Sequence, residues 1–462
     1  MTSVTIPPMA TRLGRLVAHH RAAVYGMIGR LWVIMTGPVT IVFLTVFFTP
    51  EAQGYFLTFI TLAAARTVAE LGLGQVIIVR IAQLHPAGEA SGSASPQVAG
   101  LIRFTVAWFA GAGLLVGAIL GVSGTALLQT GGGLPLADWL PAWLALSALV
   151  GADVVLSGLL YPLEGAGQVR SVYFGRMVRS IVNSIALWLS ILLGFELWSI
   201  AVGLAAGLLW TVIFLFSRGQ LVVAALRPDA AVAKVDWFSE VLPAQWRVAL
   251  SSIAEYISFY TVVPLMYAMH GAVVAGKVGV TWQLALAVSS IAGAVVFARL
   301  PEFSRLAGTR AVRDLDTLYL STSLTSMAVC LVGVVGVGLG VLVLDAAGLE
   351  FARRLLPFRE VVVLLAGVLV WHYNLTIVAY LRAHGGDPYL PATLTGAALL
   401  FGVNVTLGQW YGSAGLIWGY TLIGACIMAP LGIYLLQRKR RTCGYPAFLV
   451  EGSWSALVSR LK

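Results

Sequence analysis

Residues 61–80 read TLAAARTVAELGLGQVIIVR, a run apolar enough to lie in lipid that nevertheless holds Arg66, Glu70, Gly72 and Gly74. Its surroundings decide what it is. Of 462 residues, 59% are hydrophobic and 10% charged, and the mean hydropathy is +0.91, whereas an ordinary soluble domain is about one quarter charged. The run therefore belongs to an all-α integral membrane protein.

Crossing a hydrocarbon layer of about 30 Å takes roughly 20 apolar residues. Working outward from the opening run, twelve predicted spans meet that requirement: 30–48, 55–83, 100–122, 139–163, 175–195, 197–217, 247–269, 272–297, 317–344, 360–382, 389–409 and 413–436. Lysine and arginine collect on the cytoplasmic side of such a chain. With both termini cytoplasmic, 24 of the 29 basic residues fall inside, against Lys277, Arg353, Arg354 and Arg359 outside and Arg66 within a span. One span too many or too few would scramble that alternation, so the count and the orientation support each other. The net charge of +10 then reflects topology and anionic headgroups, not nucleic acid.

The longest connection divides the chain. We expect a cytoplasmic N-terminal amphipathic segment at 1–29, a first lobe at 30–217, a linker at 218–246, a second lobe at 247–437 and a cytoplasmic tail at 438–462. The linker holds RPDAAVAKVD and then WFSEVLPAQWR, whose tryptophans suit the membrane interface. The tail ends in YPAFLVEGSWSALVSRLK, spaced for a short helix on the cytoplasmic leaflet. Two six-helix halves are a recurrent transporter plan. Pro38 and Gly54 set against Pro264 and Gly279 are too few landmarks to prove duplication. Glycines at i,i+4 spacing, Gly113 with Gly117 and Gly121, Gly203 with Gly207, and Gly336 with Gly340, are read as close helix contacts.

Several classes are set aside. The three cysteines, Cys330, Cys426 and Cys443, are far apart, and the six histidines form no metal-ligand spacing, so neither a disulfide frame nor a metal or other resident cofactor is expected. The first apolar run, Leu31 to Phe48, has no small-residue cleavage pattern and is expected to stay as a membrane helix. GLGQVI lacks the third glycine of a nucleotide loop and no strand precedes it, so Gly72 and Gly74 are read as kinking the helix or admitting a close neighbour. No external connection is long enough for a catalytic domain, and we expect a protein that is not an enzyme.

The stretch TPEAQGYFLTFITLAAARTVAELGLGQVIIVRIAQL resembles the second-helix region of polysaccharide transporters and O-antigen flippases of the multidrug/oligosaccharidyl-lipid/polysaccharide (MOP) exporter superfamily, where a turn of P-x-x-x-G-Y/L form leads into a helix ending in ELGLG or DLGLG. EVLPAQWRVALSSIAEYISFYTVVPLMYAMHGAVVAGKVGVTWQLALAVSSIAG and NLTIVAYLRAHGGDPYLPATLTGAALLFGVNVTLGQWYGSAGLIWGY resemble the same group more loosely. The resemblance implies twelve transmembrane helices in two six-helix lobes around a central cavity, the MATE-like MOP fold, working by alternating access in a bacterial inner membrane. It implies a polyprenyl-diphosphate-linked glycan as substrate, with a multidrug branch that exports organic cations against protons or sodium. The lipid II flippase branch usually carries fourteen spans, which disfavours it.

A diphosphate and its sugars leave water only for a cavity that offers cationic donors and hydrogen-bonding side chains. Arginine suits the phosphate, because its planar fork binds two oxygens. Arg66 lies eleven residues beyond Tyr55, about 16 Å along a helix and so near mid-membrane, a placement that costs about 2.5–3.5 kcal/mol. Glu70 follows one turn later on the same face, in the less favourable order for an i,i+4 pair. A structural ion pair and a cavity role both remain open for these two. Asp153 and Glu255 are the other acids within spans, and with Glu70 they are the candidates to carry a coupling proton or sodium ion, Glu255 first; a hydrogen-bonded helix contact is the alternative for Asp153. His372 and Asn374 are candidates for sugar hydroxyls, with interhelical hydrogen bonds as the commoner fate; Asn183, Gln283 and Asn404 are read alike. Arg30, Arg176, Arg179 and Arg382 fall at predicted cytoplasmic helix ends, as receivers of an anionic headgroup or as plain topology anchors.

The expected partners are a lipid-linked glycan, membrane lipids and polysaccharide-assembly proteins, and no nucleic acid. The reading that follows is a flippase for a lipid-linked oligosaccharide or polysaccharide precursor. A multidrug exporter of the same fold is the runner-up, against which Arg66 argues. A membrane polysaccharide polymerase or ligase comes third, for want of an external loop.

Overall fold

The computed structural model describes residues 21–84, 95–228, 231–385 and 387–445. Of the N-terminal segment expected at 1–29, residues 1–20 lie outside them and residues 21–29 form the start of a helix; the tail segment lies outside them beyond residue 445. Among the described residues the chain is helical, with no strand. In chain order the helices are α1 (Arg21–Phe47), α2 (Pro50–Ala63), α3 (Arg66–Ala69), α4 (Leu73–Leu84), α5 (Pro96–Ile119), α6 (Thr125–Thr130), α7 (Leu136–Gly165), α8 (Val169–Leu192), α9 (Trp198–Arg218), α10 (Gln220–Leu226), α11 (Leu242–Phe259), α12 (Val262–Gly308), α13 (Val312–Ala346), α14 (Glu350–Arg353), α15 (Phe358–Ala383), α16 (Leu390–Ile423) and α17 (Ala429–Thr442). Single π-helical turns enter α6, α11 and α17.

Local chemistry sets the boundaries. Thr49 caps α2 by accepting from the Ala52 N–H at 3.2 Å, and Ser95 caps α5 by accepting from Val98 at 3.4 Å; a proline follows each cap, where its missing N–H costs nothing. Nine segments among the described residues are long and apolar enough to cross a membrane. Two of them, Gln245–Gly308 and Leu390–Thr442, are double length. They turn at Gly271 (φ 82°, ψ 177°) and Gly412 (φ 60°, ψ −143°), backbone conformations that side chains with a Cβ avoid. The predicted gaps between 269 and 272 and between 409 and 413 fall on these glycines. The 24-residue α8 is long enough to span, but Arg170, Arg176 and Arg179 lower its hydropathy. Phe216, Trp410, Leu114 and Val122 are among the most exposed side chains, an outer surface suited to lipid.

The described residues fall into two compact units. One holds those of Met1–Thr40, Ala69–Val122 and Ala137–Trp246, the other those of Ile41–Val68, Ser123–Leu136 and Arg247–Lys462. The units therefore interleave along the chain rather than following its two halves, and residues 41–68 and 123–136 pack with the second.

Within the first unit, small residues let α5 approach α7: a Cβ on Gly113 would stand 2.5 Å from the Gly151 carbonyl oxygen. Gly203 and Gly207 do the same for α9 against Asn183 and Arg179 of α8. Trp32 and Trp188 donate to Ser184 (3.3 Å) and Thr40 (3.0 Å), joining α1 to α8. The linker is fastened to α5, where Arg103 donates to the Ala225 and Arg227 carbonyls at 2.9 and 2.6 Å and Trp108 stacks on Trp237.

In the second unit α2 lies against α12. A Cβ on Gly54 would meet the Ala272 carbonyl oxygen at 1.9 Å, and one on Gly276 would meet the Gly54 nitrogen at 3.2 Å. Tyr55 and Tyr267 pack edge to face and donate to the Gly132 and Leu128 carbonyls, fixing α6 and the turn after it. Gly336 and Gly340 do not behave as expected. Nothing lies within 4 Å of a Cβ built on either, because both face outward from α13.

Candidate functional site

The second predicted span is not one helix. It breaks between α2 and α3 and again between α3 and α4, where Leu71 (φ 46°) and Gly72 (φ 69°) both adopt the left-handed region. Gly72 supplies that conformation without strain. Glu70 lies in the turn, outside the four-residue helix that Arg66 opens.

The first unit gathers four of the sequence candidates between α4, α7 and α8. The Tyr161 hydroxyl donates to Glu70 Oε2 at 2.6 Å. Gly74 makes room for that ring: a Cβ there would fall 2.4 Å from the Tyr161 Cζ. The Arg176 guanidinium lies 5.7 Å from the ring centres of both Tyr161 and Tyr173, and its Nη1 is 2.8 Å from Glu164 Oε2. One turn further along α8, Arg179 pairs with Asp153, a carboxylate only 1% exposed that also accepts from Ser157 at 3.2 Å. Asp153 thus sits in the interhelical contact that was its alternative reading. α1 and α8 begin earlier than the hydropathy pattern indicates, at Arg21 and Val169, so Arg30, Arg176 and Arg179 lie inside helices and not at their ends. Arg30 is exposed on α1.

The second unit holds the remaining candidates. Its cavity of about 320 Å³ is lined by Glu255 and Tyr260 of the α11 end, Ser289 and Ser290 of α12, Trp371 and Asn374 of α15, and Tyr389 and Tyr420. Glu255 and Ser290 are exposed at its edge. The fields of Glu255 and Arg66 both act on the Tyr260 hydroxyl, and that of Arg382 acts on Glu255. Arg66 is exposed. Asn374 is buried, donates to the Val370 carbonyl at 3.2 Å and accepts from Tyr389 at 3.3 Å. His372 is fully buried behind the cavity wall, 2.6 Å from Ser326 Oγ and 3.4 Å from Ser289 Oγ. Arg382 pairs with Asp387 at 3.1 Å.

Sequence reasoning passed over two features. Tyr161, Trp371 and the tyrosines of the cavity carry no motif; they become visible only when helices far apart in sequence meet. Arg440, counted in the sequence among the basic residues of the cytoplasmic side, is 3% exposed and binds both Asp316 oxygens, at 2.5 and 2.8 Å, with the Tyr380 hydroxyl at 2.9 Å. This clamp ties α13, α15 and α17. Beside it, just past α15, His384 approaches the Tyr380 carbonyl at 2.9 Å, and burial holds its imidazole below the usual histidine range. In the linker, the hydrogen bond from Ser239 holds the Asp236 carboxyl below its ordinary value. Among the described residues no group of three or more histidines, cysteines or acids is placed to hold a metal ion.

No family model matches the chain, and no curated protein matches it. Solved structures do. An inward-facing multidrug resistance MATE family transporter of the MOP superfamily matches at 15% identity over 91% of this chain and 96% of its own, with a TM-score of 0.63. The lipid II flippase MurJ in an inward closed conformation matches at 12% identity over 92% and 88%, with a TM-score of 0.65. A MOP superfamily transporter from Pyrococcus furiosus, described as having a binding pocket of reverse polarity, matches at 16% identity over 92% and 96%, with a TM-score of 0.54. At these identities the likeness speaks to architecture: the chain has the all-helical membrane fold shared by MATE transporters and MurJ.

Proposed function

We propose that this chain is a transporter that moves a polyprenyl-diphosphate-linked oligosaccharide or polysaccharide precursor from the inner to the outer leaflet of a bacterial inner membrane. It works by alternating access, with both termini cytoplasmic. Twelve passes follow if the two double-length segments are divided at Gly271 and Gly412 and α8 is counted. The observation that carries the reading is Arg66. It is exposed at a double break in a membrane segment, where irregular backbone persists only if it is buried in protein or lines a polar cavity. An arginine there is the donor a diphosphate needs. The coupling ion, a proton or sodium, falls to Glu255, because Glu70 is engaged by Tyr161 and Asp153 by Arg179. Polysaccharide-assembly proteins supply the substrate and take it away.

Arg66→Ala is expected to stop surface polysaccharide formation while the protein still inserts, and Arg66→Lys to restore part of it. Normal polysaccharide from a well-expressed Arg66→Ala protein would defeat the proposal. Multidrug export is the second reading, and one observation favours it: Glu255 stands at the edge of an aromatic-walled cavity, as a site for organic cations would require. Drug resistance conferred by the wild type and lost in Glu255→Gln would select that reading.

A further inference from the structure

The cavity of the second unit has a composition that transport alone does not explain. Its wall is aromatic: Trp371 stacks on Tyr420 with centroids 5.5 Å apart and 18° between planes, and Phe259 meets Trp371 edge-on at 6.2 Å. The indole N–H of Trp371 is already given to the Tyr420 carbonyl at 3.1 Å. What Trp371 offers a ligand is therefore its ring. Leu286, Val368, Leu375 and Val378 add aliphatic surface, and among them stand polar groups: the hydroxyls of Ser289, Ser290 and Tyr260 and the Asn374–Tyr389 pair. That pair is held in advance, since Asn374 is also tied to the Val370 carbonyl.

We infer that this cavity binds one sugar ring of the transported glycan. A pyranose has an apolar C–H face and a rim of hydroxyls that donate and accept. The face packs on the Trp371 wall, and the rim meets the second amide N–H of Asn374 as donor, the Tyr389 oxygen as acceptor, and the Ser290 and Tyr260 hydroxyls in either role. The volume of about 320 Å³ lies at the small end of the roughly 300–1,000 Å³ range of ligand sites, room for a ring but not for a lipid tail. Glu255 at the cavity edge supplies a further oxygen that can accept from a sugar hydroxyl. The inference rests on the glycan-transport reading.

Saturation-transfer NMR on the purified full chain in lipid nanodiscs tests it, with the methyl glycosides of glucose, galactose, N-acetylglucosamine and glucuronic acid as probes and tetraphenylphosphonium as the cationic control. At least one glycoside is expected to take up saturation, and the effect should fall at least fivefold in Trp371→Ala and in Asn374→Leu. Tyr389→Phe removes a single hydroxyl and should fall at least twofold, which covers the case in which the larger replacements unfold the protein. Glycoside signals equal in wild type and in folded variants, or no glycoside signal beside a tetraphenylphosphonium signal lost in Glu255→Gln, would overturn the inference. Flipping of a lipid-linked glycan in proteoliposomes separates the two claims. Unchanged flipping by the variants removes the sugar site and leaves transport standing, whereas glycoside binding without any flipping by the wild type removes the transport reading alone.

Discussion

Arg179 and Asp153 show what a charge inside a membrane helix needs. The carboxylate is 1% exposed and is met by a serine hydroxyl as well as the guanidinium. Removing one member of a buried pair strands the other, typically at about 3–5 kcal/mol. Arg179→Ala is therefore expected to lower the thermal unfolding midpoint in detergent strongly, and Asp153→Asn combined with Arg179→Met to recover most of the loss. Arg66, Glu70, Asp153 and Glu255 all stood out in the sequence, because a charge in an apolar run needs an explanation. Their partners did not. Tyr161 is 91 positions from Glu70 and Arg179 is 26 from Asp153, and nothing local in either sequence announces the meeting.

At the scale of the helix, glycine decides where the chain turns. Gly271 and Gly412 hold backbone angles that are essentially restricted to glycine, and the polar and small residues around them made both turns legible as gaps between spans. Gly271→Ala should cost about 1–3 kcal/mol, read as a reduced yield of folded protein and a lower unfolding midpoint, whereas Gly336→Ala, on an open face of α13, should change neither. Of the double break, the turn at 70–72 falls on Gly72, read in the sequence as a kink, whereas that at 64–65 carries no signal, its sequence being as helix-favouring as its flanks. The clamp at the end of α15 adds a pH dependence. Burial holds His384 below its ordinary value near 6.5, so on acidification the unfolded chain takes the proton first. Stability is then full above about pH 6.5 and declines below it. The unfolding midpoint of the wild type should fall between pH 7 and 5.5, and that of His384→Gln should fall less.

At the scale of the molecule, the helical membrane architecture was readable from composition and span length, because the bilayer allows so few solutions. The compact units were not. Halving the chain at its longest loop is the economical reading, yet α2 and α6 pack with residues beyond 246, through contacts such as Gly54 on Ala272 and Tyr267 on Leu128. A fragment ending at residue 246 is therefore expected to be degraded in the membrane. Co-expression with 247–462 should rescue it, as seen by immunoblot after synthesis is stopped.

The contact of Gly54 with Ala272 also has a consequence in time. A ribosome emits about 5–20 residues each second, and these two positions are separated by more than two hundred. For roughly 10–40 s after α2 enters the bilayer, its glycine face has no partner to meet. During that interval the nascent helix depends on lipid or on an insertion chaperone to keep it from pairing elsewhere, and a slowed ribosome anywhere between the two positions would lengthen its exposure.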